Sequence, residues 1–198
     1  VNDFTRTVLA THHDFDFGDE IIMSDLASVQ DGKIKVGEVS YQTIVIPPLT
    51  RTMFKSTLNT LIEYSKNGGT VIAFETLPTM VEGVESKDLQ ELWNAAGTVV
   101  LKDESELKPA LDKALPKRVS IRNRQGMEDA SILYMQRKID GANAYFVVNN
   151  DRNNAHELII ELEGVGRVEE WDPLTGETRE IAVERKGNLN SFTASFGP

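Results

Sequence analysis

The stretch from Tyr41 to Pro78, YQTIVIPPLTRTMFKSTLNTLIEYSKNGGTVIAFETLP, carries the signals of a strand, a helix and a second strand in that order. Thr43 to Ile46 is a short β-branched and apolar run closed by Pro47-Pro48, and proline, lacking an N–H, ends strand pairing. Thr50 is placed to cap a helix. From Phe54, the residues Leu58, Leu61, Ile62 and Ser65 follow at offsets 4, 7, 8 and 11, which predicts one buried helical face running to Lys66. Gly68-Gly69 supplies the left-handed residue that stops a helix, and Thr70 to Phe74 is a continuous apolar run without polar alternation. Two such strands joined by an amphipathic helix predict a parallel pair buried on both faces.

Upstream, Phe4 and Val8 in VNDFTRTVLAT have helical spacing but no cap precedes them, which suggests a helix and a chain that begin before Val1. HHDFDFGDE (12–20) alternates acidic and aromatic residues ahead of Ile21, Ile22 and Leu26. Asp31-Gly32, between ASV and IKV, is a strong hairpin signal and predicts a small two-stranded flap.

Downstream, PTMVEGVES reads as a loop. Ser86 is placed to cap a helix through Leu89, Leu92, Trp93 and Ala96, ended by Gly97; Thr98 to Leu101 is a third strand; Ser105 opens a helix through Leu107, Leu111 and Leu115, stopped by Pro116. The order β-α-β-α-β-α predicts an open α/β sheet covered on both faces. From Arg118 the helical period vanishes. Seven strand candidates follow, Val119–Arg122, Ile132–Ile139, Ala144–Val148, His156–Leu162, Arg167–Trp171, Arg179–Val183 and Ser191–Ser195, separated by turns such as Asp140-Gly141 and Pro173 to Gly176. That texture predicts an antiparallel sandwich over 117–198 after an α/β domain over 1–116.

The 198 residues carry 31 acidic and 21 basic side chains, a net charge of -10 that disfavours nucleic acid and anionic membrane surfaces as partners. No segment approaches the ~20 apolar residues of a membrane helix. The absence of cysteine excludes disulfides, thiolate metal sites and a thiol nucleophile.

Asp14, Asp16, Asp19 and Glu20 with His12 and His13 concentrate hard oxygen and imidazole donors within nine residues, yet Gly18 and Asp19 fall at the wrong positions for a calcium loop. The plainer expectation is a solvated acidic face with Phe15 and Phe17 buried, and no metal or cofactor is expected. Ligands of open α/β sheets bind beyond the carboxyl ends of the strands, which directs attention to Pro48–Thr50 and Glu75–Leu77. The candidate ligand-binding residues are therefore Asp14, Asp16, Thr50, Glu75 and Trp171, the last because an exposed indole in WDPLTGE can stack on a sugar. Its plainer alternative is an anchor of the sandwich core, and His156 in a polar turn reads as bland. No nucleophile elbow or phosphate loop is present.

The stretch YQTIVIPPLTRTMFKSTLNTLIEYSKNGGTVIAF resembles a segment of non-catalytic domains in large bacterial glycoside hydrolases, domains similar to class I glutamine amidotransferases and to the trimerisation domain of certain β-galactosidases. AYFVVNNDRNNAHELIIELEGVGRVEEWDPLTGETREI resembles the β-sandwich that follows them in multidomain α-L-rhamnosidase-like hydrolases. The resemblance implies a flavodoxin-like or amidotransferase-like open sheet followed by a sandwich, with the catalytic carboxylates upstream of Val1. It carries over no catalytic residue, since the amidotransferase cysteine has no counterpart. An accessory region is the expected role, partnered by other domains of one longer polypeptide and by carbohydrate, with homo-oligomers compatible. The competing expectation is a hydrolase that uses Glu75 with Asp14 or Asp16.

Overall fold

Thr43–Val45 and Thr70–Phe74 pair in parallel, and Thr98–Leu101 pairs in parallel on the far side of Thr70–Phe74. These strands belong to a computed structural model that describes residues 2–198. Two compact units make up the chain. One comprises residues up to Thr7 together with Phe15–Pro116, the other Val8–Asp14 with Lys117–Pro198.

In the first unit the alternation along Thr70–Phe74 sends Val71 and Ala73 to one face of the parallel sheet, where they join Leu58, Leu61 and Tyr64 of the helix Lys55–Lys66 and Leu89 and Leu92 of the helix Leu89–Trp93. Ile72 and Phe74 take the opposite phase, and Phe74 meets Phe4 edge to face at 5.5 Å. From Val71 to Phe74 the central strand is covered on both faces, since none of these four residues is polar.

The long helix starts four residues later than a cap at Thr50 predicts. Thr50 Oγ1 instead donates to the Pro47 carbonyl at 2.8 Å, closing a turn, and Thr52–Met53 forms a short strand. Phe54 is the N-cap in extended backbone with no side-chain cap bond, so it escapes the helical phase and is 43% exposed instead of buried. Leu58, Leu61 and Ser65 are buried as the period requires, and Ile62 packs half-buried against the same core. The helix ends in a Schellman arrangement: Gly68 N–H donates to Ser65 O at 3.2 Å and Gly69 N–H to Tyr64 O at 2.9 Å, with Gly68 at φ +85°.

Around this unit several short elements differ from expectation. The Asp31-Gly32 hairpin joins Ala27–Gln30 to Lys33–Val36 with both turn residues at positive φ, and Val39–Tyr41 adds a third strand to the expected two. The stretch expected as a loop contains Met80–Val81 and Val84–Glu85, a tight hairpin through Glu82 and Gly83 that pairs with Thr52–Met53. The next helix is only Leu89–Trp93, and Ser86 opens the turn that leads into it, its Oγ accepting from Asp88 N–H at 3.3 Å. Asp103, not Ser105, caps the following turn: its carboxylate accepts from Ser105 N–H at 2.8 Å ahead of Glu104–Glu106 and the helix Leu107–Ala114. Near the start of the chain the described helix is Asn2–Leu9, and its continuation before Val1 lies outside the described residues. The apolar Ile21, Ile22 and Leu26 lie on the helix Glu20–Leu26, which buries none of them.

Gly97 shows why a side chain is absent where this helix-to-strand turn meets the sheet. A Cβ there would run into the Gly69 carbonyl oxygen and come within 2.8 Å of Ser65 Oγ. Because the obstacle includes backbone, Gly97→Ala is expected to cost about 1–3 kcal/mol, measured by urea denaturation. A loss below ~0.5 kcal/mol would show that the turn relaxes freely.

In the second unit Val119–Asn123, His156–Glu163, Leu189–Phe196 and Glu184–Lys186 form an antiparallel sheet in that spatial order, while Ile132–Ile139 and Ala142–Asn149 form a ribbon through Asp140-Gly141. Strict alternation along His156–Glu163 buries Leu158, Ile160 and Leu162, and the inner face of the ribbon supplies Ile132, Tyr134, Tyr145 and Val147 to the same core. The strand expected over 179–183 is shorter, Thr178–Glu180, and Glu184–Lys186 is a separate edge strand.

Candidate functional site

The loops at the carboxyl ends of the parallel strands meet: Leu49 N–H donates to Thr76 Oγ1 at 3.3 Å. Leu49 sits at φ +66° and is 78% exposed, a conformation costly for a bulky residue. Glu75 is held by its backbone N–H, which donates to Leu101 O at 2.9 Å, while its side chain is exposed. Thr50 is half-buried beside them, with its hydroxyl committed to Pro47.

Beyond Glu75 the chain runs through Leu77-Pro78-Thr79 into a cleft of about 410 Å³. Its other wall comes from Glu85 to Trp93, the hairpin end and the short helix. The half-buried Trp93 both packs against the core of the unit and lines the cleft. Around it stand Gln90 and Lys87, both exposed, and Glu85, whose carboxylate accepts from Thr79 Oγ1 at 3.1 Å. The volume falls within the ~300–1,000 Å³ of small-molecule sites, and Leu77, Pro78, Leu89 and Trp93 give the cleft its apolar lining.

The acidic stretch 12–20 is divided between the two units. In the first, Asp16 accepts from Tyr41 O–H at 2.9 Å; partial burial, then that hydrogen bond and the Asp16 charge, push the phenol above its ordinary range. Asp19 caps the helix Glu20–Leu26, accepting from Ile21 and Ile22 N–H at 2.9 and 3.0 Å, and Glu20 accepts from Phe54 N–H at 2.6 Å. Phe15 and Phe17 stack edge to face at 5.5 Å, but Phe17 is 73% exposed: with the strand-like alternation broken by Gly18 and the cap at Asp19, no sheet lies beneath it. Asp14 is exposed in the second unit. Among the described residues no three His, Asp or Glu side chains group to hold a metal ion.

Trp171 is 71% exposed on the ribbon Glu169–Trp171 with Thr178–Glu180, and its indole N–H donates to Glu169 Oε2 at 3.3 Å. It does not anchor the second core. The following turn is closed by Asp172, whose carboxylate accepts from Leu174 and Thr175 N–H and is held below the ordinary range by those bonds.

Two histidine clusters in the second unit pair His12 and His156 with carboxylates that nothing in the sequence points to. His12, 2% exposed, places Nδ1 2.7 Å from Glu128 Oε2 and Nε2 2.9 Å from the Ile132 carbonyl. Burial alone would raise the Glu128 carboxyl, but bonds from His12, Lys117, Ser120 and Ile121 N–H outweigh it and hold the group far below its ordinary range. His156 lies between Asp129 at 2.6 Å and Asp151 at 3.3 Å; the bond to Asp129 leads in raising its pKa, and Asp151 falls to about 2 chiefly through Asn154. Both clusters are structural ties, since every carboxylate in them accepts from protein donors on both oxygens.

The model of the alpha-L-rhamnosidase family, glycoside hydrolase family 106, matches residues 3–185. Among solved structures, the crystal structure of apo exo-carrageenase GH42 from Bacteroides ovatus superposes with a TM-score of 0.57 at 16% identity, covering 98% of this chain and 26% of that one. At that identity the likeness is one of fold, and the chain spans about a quarter of that enzyme's length. No curated protein matches the chain. With the family model running through both units, from the first helix to the last edge strand but one residue, the chain belongs to the alpha-L-rhamnosidase family 106 of glycoside hydrolases.

Proposed function

We propose that this chain is a non-catalytic accessory region of a glycoside hydrolase, which supports, caps or oligomerises a catalytic domain and works beside other domains of one longer polypeptide. The observation that carries the reading is the asymmetry of coverage: 98% of this chain corresponds in fold to 26% of a larger carbohydrate-acting enzyme. In this reading residues 1–116 are a flavodoxin-like or amidotransferase-like domain and residues 117–198 an antiparallel β-sandwich, and Asp14, Asp16, Thr50, Glu75 and Trp171 contribute to saccharide contact at most. The chemistry agrees. Glycoside hydrolysis needs two carboxyl groups roughly 5–9.5 Å apart across the scissile bond, one with its pKa raised. In the first unit Asp16 is tied to Tyr41, Glu75 stands exposed on the strand-end rim, and the cleft is lined by a single carboxylate, Glu85.

The test is turnover of aryl α-L-rhamnosides and aryl β-galactosides by the purified 198-residue chain. No hydrolysis above the uncatalysed rate is expected. Turnover that is lost in Glu75→Gln or Asp16→Asn would overturn the accessory role and establish the chain as a hydrolase.

A further inference from the structure

We propose that the cleft between Leu77–Thr79 and Glu85–Trp93 binds a neutral pyranose, with Trp93 as the stacking platform and Gln90, Lys87 and Glu85 as hydroxyl partners; this rests on the chain being a carbohydrate-active region. The argument starts from what each group lacks. Among the described residues the Gln90 amide has no hydrogen-bond partner, the Lys87 ammonium no ion pair, and the Trp93 indole N–H no acceptor. These uncommitted groups line one cleft together with the half-buried Trp93.

A pyranose presents the matching surface, an apolar ring face for an indole and a rim of hydroxyls that both donate and accept. Leu77, Pro78 and Leu89 extend the apolar floor, and Pro78 and Leu89 are themselves buried, so the floor is preformed. Charge selects the neutral class. Lys87 is offset by Glu85 within the cleft, and the net charge of -10 disfavours anionic saccharides at longer range. The same lining limits the site to binding, because one carboxylate cannot serve as both acid and base or nucleophile.

The experiment follows the indole N–H resonances of the chain while methyl glycopyranosides are added, with Trp171→Phe as background so that Trp93 is the reporter. Saturable shifts at Trp93 with a millimolar Kd are expected, and Gln90→Ala with Lys87→Ala, both on exposed side chains, should weaken binding at least tenfold. These two variants leave the Trp93 packing intact, so loss of binding is not loss of fold. The site is overturned if Trp93 does not respond, if the double variant binds as well as the parent, or if only Trp171 responds in the unsubstituted chain. Tighter binding of methyl glucuronides than of neutral glycosides would overturn the ligand class. Failure here without aryl glycoside turnover leaves the accessory role standing, whereas turnover would remove that role whatever the cleft binds.

Discussion

Glu128→Ala should destabilise the second unit by about 3–5 kcal/mol, the cost of breaking a buried, hydrogen-bonded charge pair. The substitution strips the acceptor from four donors at once, the buried His12 ring, Lys117, Ser120 Oγ and Ile121 N–H. The loss should be read from hydrogen exchange of Val119–Asn123 and His156–Glu163, whose paired amides report opening of that sheet. It should also depend on pH with a fixed sign. A carboxyl whose folded pKa is depressed contributes stability that is fully present above its unfolded value of 4.5 and is lost as pH falls toward the folded value. The difference between parent and variant must therefore be full near neutrality and shrink on acidification below about pH 4.5. His156, raised from 6.5, has the opposite sign: its contribution is present below that value and fades as pH rises through the folded one. A pH-independent difference would remove Glu128 as the ionised hub of the cluster.

Leu58→Ala should cost about 2–5 kcal/mol, because the side chain is fully buried between the helix Lys55–Lys66 and the parallel sheet and truncation leaves a cavity that packed neighbours cannot close. Phe54→Ala, one turn earlier by sequence period, should cost much less, since Phe54 precedes the helix and is 43% exposed. Chemical denaturation of the two variants side by side decides the matter. Equal losses would mean that the helix begins before Phe54 and carries it on the buried face.

The contrast between those two residues marks what the sequence can and cannot convey. The parallel unit was legible because its period is local: all-apolar strands, a 3.6-residue stripe and a glycine pair are read within one another's neighbourhood. Thr50 misled because a threonine after Pro-Pro serves a turn as readily as a helix cap, and only the left-handed Leu49 and the strand Thr52–Met53 decide between them. Glu82-Gly83 carries the same hairpin chemistry as Asp31-Gly32, but strands of two residues show no alternation to detect. The alternation in DFDF suggested buried aromatics, and the helix capped by Asp19 broke it. Trp93 was visible only as a core residue of a helix, because a side chain that packs on the core and also lines a cleft has the same spacing as one fully buried. His156 read as bland, since neither Asp129 nor Asp151 advertises the clamp they form around it.

The tie between His12 and Glu128 joins residues 116 positions apart, and His12 reaches the Ile132 carbonyl across 120. On a ribosome adding about 5–20 residues per second, residues 8–14 must wait roughly 6–23 s before their partners exist. During that interval a histidine destined for burial is in water, while the strands of the first unit's parallel sheet, all made in between, can already pair. The second unit is thus closed by a segment made before most of the first unit, and a fragment begun at Lys117 would carry Glu128 without the ring that covers it.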